Sequence, residues 1–183
     1  HLVLGIGLAP WNILAITFTN KAAGEMRQRV AQMLSQRQAA AVSINTFHGF
    51  CARVIRDYAA DLGLPPGFSI YDTVDQTRAV KQALESLDIS STNFPPGKVL
   101  AAISNAKNEL LDAEGYSSQA NDFYTRTISK VFTHYEQTLT KNKSLDFDDL
   151  LIKTVQLMQS QPEALAQLRE RYKYVLIDEY QDT

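Results

Sequence analysis

The stretch Tyr174-Val175-Leu176-Ile177-Asp178-Glu179 constrains this chain more than any other: an unbroken aliphatic run that gives way at once to two acids. Such a run predicts a short strand covered on both faces, as central strands of a parallel sheet are. Ligands of open α/β sheets sit beyond the carboxyl ends of the strands, so this strand would deliver Asp178 and Glu179 to the place where a nucleotide lies. Mg²⁺ takes one or two carboxylates plus phosphate oxygens, and phosphoryl hydrolysis needs a second group to orient water. Two adjacent acids can divide those tasks. An acidic turn after a buried strand shares the same short pattern, so the pair by itself does not distinguish a site from a turn.

The 183 residues suffice for one ordinary domain or two small ones, and a hydrophobic content of 45% is enough to build a core. The one cysteine, Cys51, leaves no internal disulfide and fits a reducing, cytoplasmic compartment; its apolar neighbours place it in the core. Pro10 and Asn12 interrupt the most hydrophobic stretch, so no run reaches the roughly 18 to 20 residues of a membrane span. No basic segment precedes an apolar one as in a signal peptide. The net charge of −2 is unevenly spread: residues 1–56 hold six cations against Glu25 alone, a balance of +5, which leaves −7 for the remainder. A basic block can neutralise phosphates, although a solvated helix face has the same composition.

Read in order, Ile13 to Ile16 is a buried strand ending in Thr17-Phe18-Thr19-Asn20, with Asn20 as N-cap of a helix carrying Ala22, Ala23, Met26, Val30, Met33 and Leu34 on one face. Ala41 to Asn45 is a second strand. Thr46-Phe47-His48-Gly49 turns it into a helix through Phe50, Cys51, Val54, Ile55, Tyr58 and Leu62, closed by Gly63. After the turn Leu64-Pro65-Pro66-Gly67, residues 72 to 172 read as helices almost without strands. Asp72 caps one, Pro95-Pro96 opens another, and Phe123 to Leu139 forms a longer one with a core-facing aromatic stripe. Leu145-Asp146-Phe147-Asp148-Asp149 has acids enough for a metal, but capping fits it better: Asp146 at the N-cap, Asp148 and Asp149 in the first turn. Pro162 starts the last helix. Gly5-Ile6-Gly7 is no dinucleotide fingerprint, because Pro10 stands where the third glycine belongs and no strand precedes it.

Two strand tips repeat one chemistry, Thr17-Phe18-Thr19-Asn20 and Thr46-Phe47-His48. An isolated phenylalanine there ordinarily packs beneath the next helix. Set beside hydroxyls, an amide and Lys21 at a helix N-terminus, Phe18 instead presents a stacking face flanked by phosphate donors. This combination holds single-stranded nucleic acid without reading its sequence.

Four boxes, in order, are similar to those of the UvrD/Rep-type superfamily 1 DNA helicases. ITFTNKAAGEMRQRV (Ile16 to Val30) resembles motif Ia, INTFHGFCARVIR (Ile44 to Arg56) motif Ib, LDFDDLL (Leu145 to Leu151) the box of the helical insertion, and LIDEYQDT (Leu176 to Thr183) motif II. The resemblance implies an α/β fold: a partial RecA-like parallel sheet, residues 1–49 and 173–183, interrupted by a large helical insertion of the 1B type, residues 50–172. It implies ATP and Mg²⁺ as cofactors, and 3′-to-5′ movement on single-stranded DNA or at a single-strand/duplex junction, in repair or replication. Carried over residue by residue, Asp178 resembles the Mg²⁺ carboxylate and Glu179 the residue that activates water. Phe18 resembles the base-stacking aromatic, and Thr17, Asn20, Thr46 and His48 resemble positions along the DNA backbone.

The chain departs from that family in lacking a Gly-x-x-x-x-Gly-Lys-Ser/Thr loop: Gly97-Lys98 is followed by Val99, and Thr92 stands where the first glycine belongs. It also stops within motif II, before any second RecA-like domain. A piece of a longer protein, without ATPase or unwinding activity of its own, is therefore expected. Two alternatives share these boxes or part of them: a helicase-nuclease subunit, and a non-catalytic helical interaction module with a vestigial nucleotide site.

Overall fold

The structure, a computed structural model, describes residues 1–65 and 67–182, for Asp182 the backbone alone; Pro66 of the expected turn and Thr183 of the terminal box lie outside the described residues. In chain order the elements are β1 (Ile13–Thr17), α1 (Asn20–Met33), α2 (Gln36–Ala41), β2 (Ser43–Thr46), α3 (Phe47–Asp57), β3 (Ser69–Ile70) and α4 (Thr73–Ser86). There follow α5 (Pro96–Asn108), α6 (Ala113–Gln119), α7 (Phe123–Lys141), β4 (Ser144–Leu145), α8 (Phe147–Ser160), α9 (Pro162–Arg171) and β5 (Tyr174–Ile177). They divide by packing into two compact units, residues 1–58 with 154–183, and residues 59–153. Both divisions fall inside the 50–172 range read from sequence. Among the described residues, no helix is long and apolar enough to cross a membrane.

The first unit is built on a parallel sheet of order β2-β1-β5. All five residues of β1 are buried, and since successive side chains point to opposite faces, both faces of this strand are covered. Ala15 packs with Ala23 of α1 and Ile44 of β2, with Met26, Val30 and Val42 around them. Cys51 is buried at 6% exposure, as expected of a core position.

β5 differs from its expectation. It is a strand in parallel register with β1, but it is the outer strand among the described residues, with Val175 52% and Leu176 50% exposed. An aliphatic run records that a strand needs cover, not which neighbour in space supplies it. Three boundaries also move. Thr19, not Asn20, is the N-cap of α1, its Oγ1 accepting from the Ala22 amide at 3.1 Å. α3 ends at Asp57 rather than near Leu62, although Gly63 does take the left-handed conformation (φ 65°) that closes the following turns. The short helices α2 and α6 were not legible, since each spans fewer than two full turns of apolar periodicity.

The helical unit packs α4, α5 and α7 around Val80, Leu84, Val99, Ile103, Phe132 and Tyr135, none more than 1% exposed. Asp72 caps α4 through the Val74 and Asp75 amides, and Pro96 opens α5. The aromatic stripe of α7 is core only from Ile128 onward. Phe123 and Tyr124 lie on the surface, 79% and 44% exposed, against the buried ring of Phe94. β3 and β4 form a two-residue parallel ladder too short to leave a sequence signature.

At the start of α8 the capping reading holds and gains a partner. Asp149 N–H donates to Asp146 Oδ1 (2.8 Å) and Asp146 N–H to Asp149 Oδ2 (3.1 Å), a reciprocal cap. Glu136, Asp146 and Asp149 offer carboxylate oxygens within 4.8 Å of one another, a set that would suit a hard cation, but the cation among them is the Lys107 ammonium. It lies 2.8 Å from Asp146, 2.9 Å from Asp149 and 2.7 Å from Glu136, and the Tyr135 hydroxyl donates to Asp146 at 2.9 Å. Burial opposes the ammonium, yet Asp149, Asp146 and Glu136 outweigh it and hold Lys107 above the ordinary lysine range.

Glu136 is the weak member. Its Oε1 is buried without hydrogen-bond geometry, and burial pushes its carboxyl above the usual range despite Lys107. A carboxyl raised on folding contributes stability that is present below its unfolded pKa and lost as pH rises through its folded one. Three carboxylates facing one ammonium and a neutral tyrosine carry a net −2, which a neutral residue at position 136 reduces to −1. Glu136→Gln is therefore expected to raise the urea midpoint at neutral pH and above, and to match the parent below the ordinary glutamate range. Melts across pH 3 to 9 measure this; a midpoint lowered at pH 8 would contradict it.

Candidate functional site

The register of the sheet brings the strand tips together. Thr17 is opposite Thr46 and Ile16 opposite Ile177, so the parallel strands β2, β1 and β5 end level with one another on one rim. The Asp178 amide donates to the Ile16 carbonyl at 2.9 Å, which ties the residue after β5 to the end of β1. The chain leaves β1 on one side for β2 and returns on the other as β5, so the rim beside β1 is the kind of crevice in which α/β sheets bind ligands.

Each side chain on this rim follows from its local structure. Phe18 follows a fully buried Thr17 and is itself 65% exposed, an apolar ring turned to solvent by the alternation of the strand. Thr17 Oγ1 donates to the Thr19 carbonyl at 3.1 Å, so Thr17 shapes the tip from within and does not reach the surface. Thr19 caps α1, and Asn20 and Lys21 are exposed in its first turn. On the neighbouring tip Thr46 Oγ1 accepts from the Gly49 amide at 3.1 Å as N-cap of α3, with His48 exposed beside it. A Cβ on Gly49 would come within 3.1 Å of that oxygen, so the cap is built tightly around a glycine.

Neither α1 nor α3 has an acid in its first turn, which leaves the positive ends of both helix dipoles uncancelled toward the rim. Arg27 is not part of this surface; its Nη2 donates to the Ile44 carbonyl at 2.6 Å and braces α1 against β2. The basic block of residues 1–56 is thus partly structural.

Asp178 and Glu179 are exposed at the end of β5. Glu179 is held at φ 54°, in the left-handed region that costs a non-glycine residue about 1 to 2 kcal/mol, so extended backbone stops at Asp178 and turns. The Glu179 carboxylate accepts from the Gln181 side-chain amide. No hydrogen bond occupies the Asp178 carboxylate among the described residues, which leaves it a hard, accessible oxygen ligand of the kind Mg²⁺ takes. The residues present fit a single carboxylate contribution to such an ion, not a complete cage.

A family model for the UvrD/REP helicase N-terminal domain matches residues 1–183. The chain belongs to the UvrD/REP helicase family. Among similar proteins, an ATP-dependent DNA helicase PcrA of Leuconostoc citreum is 40% identical over 183 residues, 100% of this chain and 24% of that protein. A protein of the same description from Bacillus subtilis (strain 168) is 44% identical over 176 residues, 96% of this chain and 24% of its own length. The chain thus spans about a quarter of the length of these UvrD/REP relatives. Its parallel sheet and helical unit agree with a partial RecA-like arrangement of the family's N-terminal domain.

Reasoning from sequence missed Thr19 as the cap of α1 and Lys107 as the buried counter-ion. Lys107 had a visible signal: it follows Val99 and Ile103 at four-residue spacing, on the apolar stripe of α5.

Proposed function

We propose that this chain is the part of an ATP-dependent DNA helicase that carries one wall of the single-strand track and one side of the Mg-ATP site. The three-stranded unit is its RecA-like half and the helical unit its 1B-like insertion. The observation that supports this is the common rim, where an exposed aromatic, two open helix N-termini and two carboxylates stand at level strand ends.

On this reading Phe18 stacks on a base. Asn20, Thr46 and His48 line the DNA backbone through the two capped turns, and Thr17 holds the first of those turns in place. Asp178 would hold Mg²⁺ and Glu179 orient the attacking water; bound there, Mg²⁺ would neutralise charge on the terminal phosphates of ATP. The intact protein travels 3′ to 5′ along single strands in the cytoplasm, in repair or replication.

The chain itself lacks the phosphate-cradling loop, so it is expected to release no phosphate from ATP above the uncatalysed background, measured with a coupled phosphate assay. Single-stranded DNA binding is the positive test. A fluorescein-labelled oligonucleotide should raise its anisotropy on titration, with an affinity that falls linearly on a log-log plot against salt. No saturable binding at low salt would refute the track.

A further inference from the structure

The sheet unit has a second concave feature at its other end. α3 starts at the carboxyl end of β2 and runs back along the sheet, while α9 leads into the amino end of β5, so their last turns reach the amino-terminal rim. Asn12, just before β1, fixes this geometry by donating its amide to the Arg171 carbonyl at 2.8 Å. A cleft of about 390 Å³ lies there, lined by Arg53, Asp57, Tyr58, Gln167, Arg171 and Tyr172. It is on the opposite rim from Phe18, His48 and Asp178.

Its donors outnumber its acceptors. Arg53 is half-buried and held at one end: Nη2 donates to Ser43 Oγ and, at 2.6 Å, to the Tyr172 hydroxyl, and among the described residues Nε and Nη1 make no hydrogen bond. Arg171 lies over the Tyr172 ring, 5.4 Å from its centroid, and its Nη1 stands 3.9 Å from Asp57 Oδ2, beyond hydrogen-bond reach. The Tyr58 hydroxyl donates to Gln167 Oε1 at 2.8 Å, which leaves the NH₂ end of Gln167 as a donor. Guanidinium forks pair with oxyanions bidentately, and a phosphate group, with three acceptor oxygens, matches this many donors better than a carboxylate does. The volume is in the range of small-molecule sites.

We propose that this cleft binds a small phosphate-bearing molecule, up to the size of a mononucleotide, with Arg53 and Arg171 on the phosphate and Asp57 as the internal anion it displaces from Arg171.

Arginine Nε–H correlation spectra of the 183-residue chain, titrated with inorganic phosphate and then AMP against sodium chloride of matched ionic strength, test this. Saturable shifts are expected at Arg53 and Arg171 and not at the other arginines. Arg53→Gln also removes the contacts to Ser43 and Tyr172, so two other variants carry the comparison. Arg171→Ala should weaken phosphate binding about two- to fivefold, the worth of a partly exposed charged contact, and Asp57→Asn should strengthen it by a similar factor. Loss of fold cannot produce tighter binding. Shifts that fail to saturate, shifts shared by all arginines, or an Asp57→Asn variant with unchanged affinity would overturn the proposal. A single-stranded oligonucleotide that moved Arg53 as phosphate does would also overturn it, by making the cleft part of a nucleic-acid track.

Discussion

Lys107→Ala is expected to destabilise the helical unit by about 3 to 5 kcal/mol, the range for removing one partner from a buried charged network. The ammonium is 3% exposed and is the shared counter-ion of Asp146, Asp149 and Glu136. Without it, three carboxylates converge within 4.8 Å with a tyrosine hydroxyl as their remaining donor, and they must repel, protonate or admit water. In the whole chain the effect should appear as lost hydrogen-exchange protection along α5 and α7 and as a urea midpoint about 1 to 3 M lower. Glu136→Gln combined with Lys107→Ala should recover part of the loss, because it removes one of the stranded charges. A Lys107→Ala variant within about 1 kcal/mol of the parent would mean the cluster is wetter than its burial implies.

Phe18→Ala is expected to weaken single-stranded DNA binding by about 1 to 3 kcal/mol, roughly 5- to 150-fold, the contribution of one aromatic-base stack. The same substitution should barely change stability, since the ring is 65% exposed. The slope of affinity against salt should stay constant, because the phosphate donors of the capped turns remain in place. Loss of binding with an unchanged melt and an unchanged salt slope identifies stacking; a folded variant that binds as the parent does would remove Phe18 from the track. This test is independent of the cleft at the opposite rim, which involves none of the same side chains.

Much of this molecule was legible before its coordinates, for identifiable reasons. Asp72, Asp146, Pro96 and Pro162 mark helix starts because capping and proline geometry act within one turn. Ile13 to Ile16 reads as a buried strand from four residues alone, and Phe18 stands out because it follows a strand that is already complete. Reading failed where a neighbour in space decided the outcome. Phe123 and Tyr124 continue the apolar spacing of α7, but at its first turn there is only Phe94 for them to meet.

The amino-acid order by itself determined where β1, β2 and β5 run, which residues stand at their tips, and that acids follow the last of them. Backbone propensity, alternation and capping are short-range, so these were present in the string. Only the tertiary structure decided that three tips separated by up to 160 residues end on one rim, that Lys107 serves acids from two other elements, and that Arg53 and Arg171 share a cleft. Those are pairings between distant segments, set by strand register and by the need of each buried charge for a partner, and no local pattern encodes them.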